Sequence, residues 1–437
     1  MQPGNLLQIL EKVSSVHPLV KCDQDQVLSI PLSAVLKGFL PLTLLVFQRF
    51  ICLISFLWLS LDQAILVSLI LGILNYTISS RSETGSGFIG GSPSTKWQSE
   101  LKEALAPFLK YEPPWWCLDN HSTTCWPLVL FNHTPKKVFR QTLTASDGSP
   151  IGLDWYIPEK PIVGVVLTAP GLNGTSKGGY IVDQMERLGD AGYVTAVIHG
   201  RGAGLTSIHS VESAFHLGRS SDLLVFVEAI EQLLPEKLPI FIVGYSAGGI
   251  RAVKFSSVYG DKLKGRVAGI VSFGGTVRNL ETPRFRSSLV YQQVIIYAYA
   301  AQMYSKLSAL GDLNADEVNL DQIFKTRSFE TFREFDTRVT SVLHKMSVEE
   351  YEQEVFPYHD DRWRDISVPV LFVNAVDDPV LHVDDSVVPE MAFGNSNISF
   401  LVTEKGGHIG WPTGFCKRTH GYGWMSRVAL TFMSKCY

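Results

Sequence analysis

Two segments of the chain place a serine between glycines: Gly244-Tyr245-Ser246-Ala247-Gly248 and Gly174-Thr175-Ser176-Lys177-Gly178. A serine hydroxyl becomes a nucleophile only when a neighbouring base takes its proton and a carboxylate orients that base. The G-x-S-x-G pattern serves this chemistry when a strand runs directly into it and a helix leaves directly from it. The small flanking residues then let strand and helix approach without Cβ clashes. Residues 240–243 form a β-rich run ending at Gly244, and Gly248-Gly249 opens an apolar helical stretch through Val258. Ser176 lacks that setting, because Pro170-Gly171-Leu172-Asn173 separates it from the preceding run. Ser246 is the candidate nucleophile, and Ser176 reads as a loop residue.

An acid and a base follow in the required chain order. Asp377-Asp378-Pro379 comes after the apolar run 370–374, and Gly406-Gly407-His408 after the run 398–402. Asp378, directly before the proline, is the preferred acid; Asp377 suits a turn residue that bonds local backbone. His408 is the preferred base, since His359, His382 and His420 do not combine a Gly-Gly approach with a preceding strand. A tetrahedral intermediate also needs backbone N–H donors, each worth about 3–4 kcal/mol in such a site. Ala247, next to the nucleophile, supplies one. The loop 170–174 supplies the other through Leu172, with Asn173 as the fallback, unless that loop is a plain glycine-rich turn. His199-Gly200-Arg201-Gly202 reads as structural, with Arg201 ordering loops near the site.

The elements that must position these residues are legible as alternating patterns. Continuous apolar runs at 162–168, 193–198, 240–243, 267–273, 370–374 and 398–402 indicate strands buried on both faces, as in a parallel sheet covered by helices. Two shorter strands at 137–144 and 151–156 flank a turn at Asp147-Gly148. Ile181, Met185 and Leu188, then Leu223, Val227, Ile230 and Leu234, mark helix faces by their spacing. The repeating order predicts a doubly wound α/β sheet. Residues 280–366 break the rhythm with aromatic-rich helical stretches and no convincing strand, as a cap inserted between strands would.

The N-terminal part reads differently. Residues 1–30 suggest a polar tail, and residues 31–78 a hydrophobic membrane anchor, single-pass or hairpin. The stretch 50–74 has bilayer-spanning length despite Asp62; a buried core helix pair is the alternative. Residues 79–98, rich in Gly and Ser, suit a linker, leaving 99–437 as the catalytic domain. Lys37 and Arg49 on one side of the anchor against Arg81 on the other give a slight bias toward a lumenal domain. The endoplasmic reticulum is the favoured location.

Composition narrows the remaining choices. With 46% hydrophobic residues and a net charge of −4, the chain has no basic excess of the kind that nucleic-acid binding requires. The six cysteines show no paired C-x-x-C spacing with histidines, so no zinc site is expected, and no flavin or nucleotide motif suggests a cofactor. Cys117 and Cys125 are open to pairing in a lumenal domain or to a buried free state. Sequons at Asn75, Asn120, Asn132, Asn173 and Asn397 matter only in such a compartment.

From about Tyr111 onward the chain resembles the eukaryotic membrane-anchored abhydrolase-domain family, which includes phospholipases, monoacylglycerol lipases and medium-chain acyltransferases. The residues that carry the resemblance are Pro170–Gly174, His199–Gly202, Leu217-Gly218 with Ser221-Asp222-Leu223, Gly244–Gly249, Phe335-Asp336, Asp377–Pro379 and Gly406–Gly410. Ile250 departs from the family, which has Asn or a residue of that size after the Gly-Gly, and Pro170 stands where bacterial relatives carry histidine. The resemblance implies an α/β-hydrolase fold, a Ser246–Asp378–His408 triad and an N-terminal membrane anchor. The expected activity is cleavage of carboxylic esters in lipid-like substrates through an acyl-enzyme. Acyl transfer from acyl-CoA to an alcohol uses the same intermediate. A silent membrane-tethered binding protein is the contrasting class.

Overall fold

The apolar runs of the sequence become the strands of a ten-stranded sheet in the computed structural model, which describes residues 1–13, 20–21, 87–90, 95–117, 119–130, 138–204, 206–234, 238–278, 286–310, 314–315, 318–319, 329–381, 387–414 and 421–437. In chain order the strands are β1 (Val20–Lys21), β2 (Gly87–Ile89), β3 (Phe139–Thr144), β4 (Pro150–Tyr156), β5 (Gly164–Ala169), β6 (Tyr193–Ile198), β7 (Ile240–Tyr245) and β8 (Val267–Phe273). A separate two-stranded ribbon pairs β9 (Asn314–Ala315) with β10 (Val318–Asn319), and β11 (Val370–Ala375) and β12 (Ile398–Thr403) complete the large sheet. The strand order is β1-β3-β4-β6-β5-β7-β8-β11-β12-β2. Pairing is parallel from β6 through β12, and antiparallel at the two margins.

Helices cover both faces. They are α1 (Pro3–Val13), α2 (Lys96–Leu109), α3 (Asn120–Leu130), α4 (Gly179–Asp190), α5 (Ser221–Leu233), α6 (Ala247–Tyr259), α7 (Arg286–Leu307), α8 (Val348–Val355), α9 (Val388–Gly394) and α10 (Gly423–Cys436). Successive strand residues serve opposite cores: Ile242 packs with Leu223, Phe226 and Val253, whereas Phe241 and Val243 pack with Met185, Val428 and Phe432. That double burial is why these strands read as unbroken apolar runs.

The readings of the N-terminal part meet the structure differently: within the linker expected over 79–98, residues 87–89 form β2 on β12 and α2 begins at Lys96. Residues 3–13 are the helix α1 and not a loose tail; Leu6 and Leu10, one turn apart, are buried in the core beside α5. Each such leucine contributes about 1.5–3 kcal/mol on burial, enough to dock a short helix. The anchor expected over 31–78 lies outside the described residues, as do Asn75 and Asn132. Among the described residues no helix is long and apolar enough to cross a membrane.

The insertion expected at 280–366 without a strand is mostly helical where described, but it also carries the short antiparallel β9–β10 ribbon. It contains α7, a helical run from Phe332 to His344 that passes through a π-turn at Asp336–Thr340, and α8, opened by a capping box at Ser347 and Glu350. Tyr299, Ala300 and Met303 of α7 join Phe329, Phe335 and Val339 in a small core of their own, onto which Leu172 and Phe215 of the main domain pack.

Candidate active site

Ser246 sits at the end of β7, in the middle of the sheet, and heads α6. Its φ of 51° lies in the left-handed region, where a residue with a Cβ is strained by about 1–3 kcal/mol unless its surroundings hold it there. The surroundings do so. The Ser246 N–H donates to the Phe273 carbonyl at 2.8 Å. A Cβ added at Gly244 would lie 2.4 Å from the Gly248 carbonyl oxygen, and one at Gly248 would lie 2.0 Å from that of Ala169. Both glycines of the pentapeptide are therefore demanded by the close packing of α6 against the ends of β5 and β7.

The other candidates arrive on loops at the carboxyl ends of neighbouring parallel strands, the edge where open α/β sheets place their ligands. His408, after β12, has Nε2 2.9 Å from Ser246 Oγ and Nδ1 2.7 Å from Asp378 Oδ2. Asp378, after β11, is fully buried, and its Oδ1 accepts the N–H groups of Val380 and Leu381 at 2.7 and 2.9 Å. Those two donors aim the second oxygen at the imidazole. Asp377 faces elsewhere, accepting the Gly407 N–H at 2.8 Å. Burial pushes its carboxyl up to about 7, aided by the charge of Asp378 and opposed by the Gly407 hydrogen bond.

Ala247 is the first residue of α6, so its N–H has no intrahelical acceptor and heads the positive end of the helix dipole. The loop carrying Leu172 and Asn173 lies beside the nucleophile: a Cβ at Gly171 would be 3.5 Å from Ser246 Cβ. Asn173 has φ 60°, and Tyr180 accepts the Gly171 N–H at 3.1 Å. Ile409 and Trp411, just past His408, also have positive φ, so four of the six described non-glycine residues with positive φ lie on the elbow and the loops beside it, Lys345 and Asp361 being the others.

Ser176 is elsewhere. It is buried, and its hydroxyl donates to Asp154 Oδ2 at 2.5 Å. His199 lies 2.9 Å from the same oxygen, and Arg140 donates to both oxygens at 2.7 Å. Arg201 joins Asp147 (2.5 Å), Ser149 (3.0 Å) and Asp222 (2.7 Å), tying the β3–β4 turn to the start of α5. His359 packs beside Phe356, and His382 and His420 lie outside the described residues. Cys117 and Cys125 are free, buried thiols; burial pushes Cys125 up to about 11. Among the described residues no cluster of His, Cys, Asp and Glu is fit to hold a metal ion.

Sequence reasoning missed Tyr180, Asn120 and Thr124. Tyr180 sets the loop 170–174. Thr124 accepts the His408 N–H at 2.9 Å, and the Asn120 side chain donates to the Asp377 carbonyl at 2.9 Å. Thr124 and Asn120 are distant in the chain from the residues they hold, Asn120 stands out in the sequence only as a sequon, and Tyr180, nine residues from Gly171, belongs to no catalytic motif.

A strand-borne serine on a strained turn, with an imidazole and a carboxylate delivered from later strand ends, defines an α/β-hydrolase arrangement. The chain belongs to the alpha/beta hydrolase fold family, whose sequence profile matches residues 164–414. It is similar to the mouse (Mus musculus) protein named phospholipase ABHD3, at 26% identity over 84% of this chain and 89% of that one. It is also similar to the zebrafish (Danio rerio) protein named monoacylglycerol lipase ABHD2, at 24% identity over 76% of this chain and 81% of that one. The solved structure of Est1E from Butyrivibrio proteoclasticus aligns at 14% identity with a TM-score of 0.38, covering 68% of this chain and 98% of that one.

Proposed function

We propose that the chain hydrolyses carboxylic esters of lipid-like substrates, such as a phospholipid, an acylglycerol or a short- or medium-chain ester. The carrying observation is the continuous hydrogen-bonded path Ser246–His408–Asp378, at 2.9 and 2.7 Å. In this mechanism His408 Nε2 takes the proton of Ser246 as the oxygen attacks the ester carbonyl. The oxyanion that forms is met by the N–H groups of Ala247 and Leu172. Asp378 holds the imidazole tautomer and stabilises the imidazolium. His408 then returns the proton to the leaving alcohol, and water resolves the acyl-enzyme by the same steps in reverse roles.

An apolar acyl group is supported by the side chains around the loop. Leu172 packs against the aromatic and aliphatic core of the cap, so the second proposed oxyanion donor sits where polar surroundings give way to apolar ones. The names of the two relatives, a phospholipase and a monoacylglycerol lipase, agree with a lipid ester. Attachment to a membrane through residues 31–78, with the endoplasmic reticulum as location, rests on the apolarity of that sequence alone.

The test is product analysis by mass spectrometry. Vesicles of phosphatidylcholine, and separately micelles of a monoacylglycerol, are incubated with the full chain and with Ser246→Ala. Free fatty acid from the wild type alone supports the reading, and its absence from every lipid and short ester tried contradicts it. A parallel incubation with ethanol separates hydrolysis from acyl transfer, because ethyl esters then replace the fatty acid.

A further inference from the structure

α3 lies against both loops that deliver the acid and the base, although none of its side chains belongs to the triad. Its first turns make three hydrogen bonds, and a fourth between the two loops completes them. The Thr124 hydroxyl oxygen accepts the backbone N–H of His408 at 2.9 Å, and the same hydroxyl donates to the Asn120 carbonyl at 2.7 Å. The Asn120 side-chain amide donates to the carbonyl of Asp377 at 2.9 Å, one residue before the acid. The Asp377 carboxylate accepts the N–H of Gly407 at 2.8 Å, one residue before the base. The bonds close a ring, Asn120–Asp377–Gly407–His408–Thr124, that joins two loops to one helix turn.

Packing makes the ring tight. A Cβ at Gly407 would lie 2.5 Å from the hydroxyl oxygens of both Thr123 and Thr124, and one at Gly410 would lie 2.3 Å from the Thr123 carbonyl oxygen. Gly407 and Gly410 are thus required by α3 pressing on the loop. The outer side of α3 meets the cap: His121 Nδ1 is 3.0 Å from the Tyr291 hydroxyl of α7, with the two rings stacked. Asn120 begins a sequon, yet its amide is already used inside this ring and the residue is buried.

We infer that α3 is the brace that sets the distance between the acid and the base, with Thr124 and Asn120 as positioning residues for His408 and Asp378. The inference rests on the serine-hydrolase reading. The imidazole hangs from a backbone whose own N–H is fixed by Thr124, so a shift there is carried to Nε2, and a misplacement of about 1 Å costs about a hundredfold in rate. An ordinary helix–loop contact predicts loss of stability with an unchanged turnover per folded molecule. A brace predicts loss of turnover with substrate binding kept.

The experiment uses the full chain with p-nitrophenyl butyrate, and reads kcat, KM, melting temperature and the rate of fluorophosphonate labelling for Thr124→Val, Thr124→Ser and Asn120→Ala. Valine keeps the shape and removes the acceptor; serine keeps the acceptor. The expected result is a kcat lowered about ten- to hundredfold in Thr124→Val, with KM within about twofold and labelling slowed in parallel. Thr124→Ser should return to within about threefold of wild type. A wild-type kcat in Thr124→Val overturns the inference, and so does a serine variant as slow as the valine one. If Thr124→Val does not fold, Asn120→Ala decides by the same split of kcat against KM. A wild type that never labels removes the underlying reading; a wild type that labels beside an equally fast Thr124→Val removes the brace alone.

Discussion

Ser246 and Ser176 occupy the same pentapeptide pattern, and each belongs to a buried or half-buried set with one aspartate and one histidine. The sets differ in connectivity. Around Ser246 the imidazole stands between hydroxyl and carboxylate, with one nitrogen on each. Around Ser176 the carboxylate stands in the middle: Asp154 Oδ2 takes both the serine and His199, while Arg140 donates to the same carboxylate. Burial alone would raise the Asp154 carboxyl, but the hydrogen bonds from His199 and Arg140 outweigh it and hold the group well below the usual carboxylate range. A carboxylate so stabilised is too weak a base to take a serine proton. The same three residue types therefore make a nucleophile in one place and, in the other, a structural knot joining β4 to the loops after β5 and β6, with β3 tied in through Arg140.

The largest effect should separate them outright. Ser246→Ala is expected to lower kcat by about 10⁴-fold or more, while Ser176→Ala stays within about threefold of wild type in an ester assay. Stability should sort the two sets the other way. Asp154→Asn breaks a buried ion pair and is expected to cost about 3 kcal/mol or more, and Ser176→Ala about 1–2 kcal/mol, in urea unfolding. Ser246→Gly should instead gain about 1 kcal/mol, because glycine relieves the positive φ by more than it loses in chain entropy. A destabilised Ser246→Gly would show that the elbow is not strained.

The smallest effect is in pH dependence, where the two carboxylates have opposite signs. Asp154 is depressed, so its contribution is present above the unfolded value of about 3.9 and is lost as pH falls below it. Asp377 is raised, so stability is fullest below about 4 and declines as pH rises through about 7. Asp336, buried in the cap and also pushed up to about 7 by burial, slopes the same way. Melting temperatures between pH 5 and 8 should therefore fall less steeply in Asp377→Asn than in wild type, and an equally steep fall would contradict the assignment.

Much of this was legible in the chain before any geometry. The central strands showed themselves because burial on both faces demands unbroken apolar runs, and the elbow because strand, serine and glycines are contiguous. α1 was missed although Leu6 and Leu10 have helical spacing, since its short polar surroundings resemble a tail. Asp377 and Asp378 are chemically equal neighbours, and only the turn that brings the Val380 and Leu381 N–H groups onto Asp378 separates them. Thr124 could not be found at all. Its bond to His408 spans 284 residues and leaves no local pattern to read.

The most direct measurement is fluorophosphonate labelling of the solubilised full chain beside Ser246→Ala, Ser176→Ala and His408→Ala. The account predicts that labelling vanishes in Ser246→Ala, falls sharply in His408→Ala and persists in Ser176→Ala. Labelling that survives in Ser246→Ala, or a wild type that never labels, would contradict it.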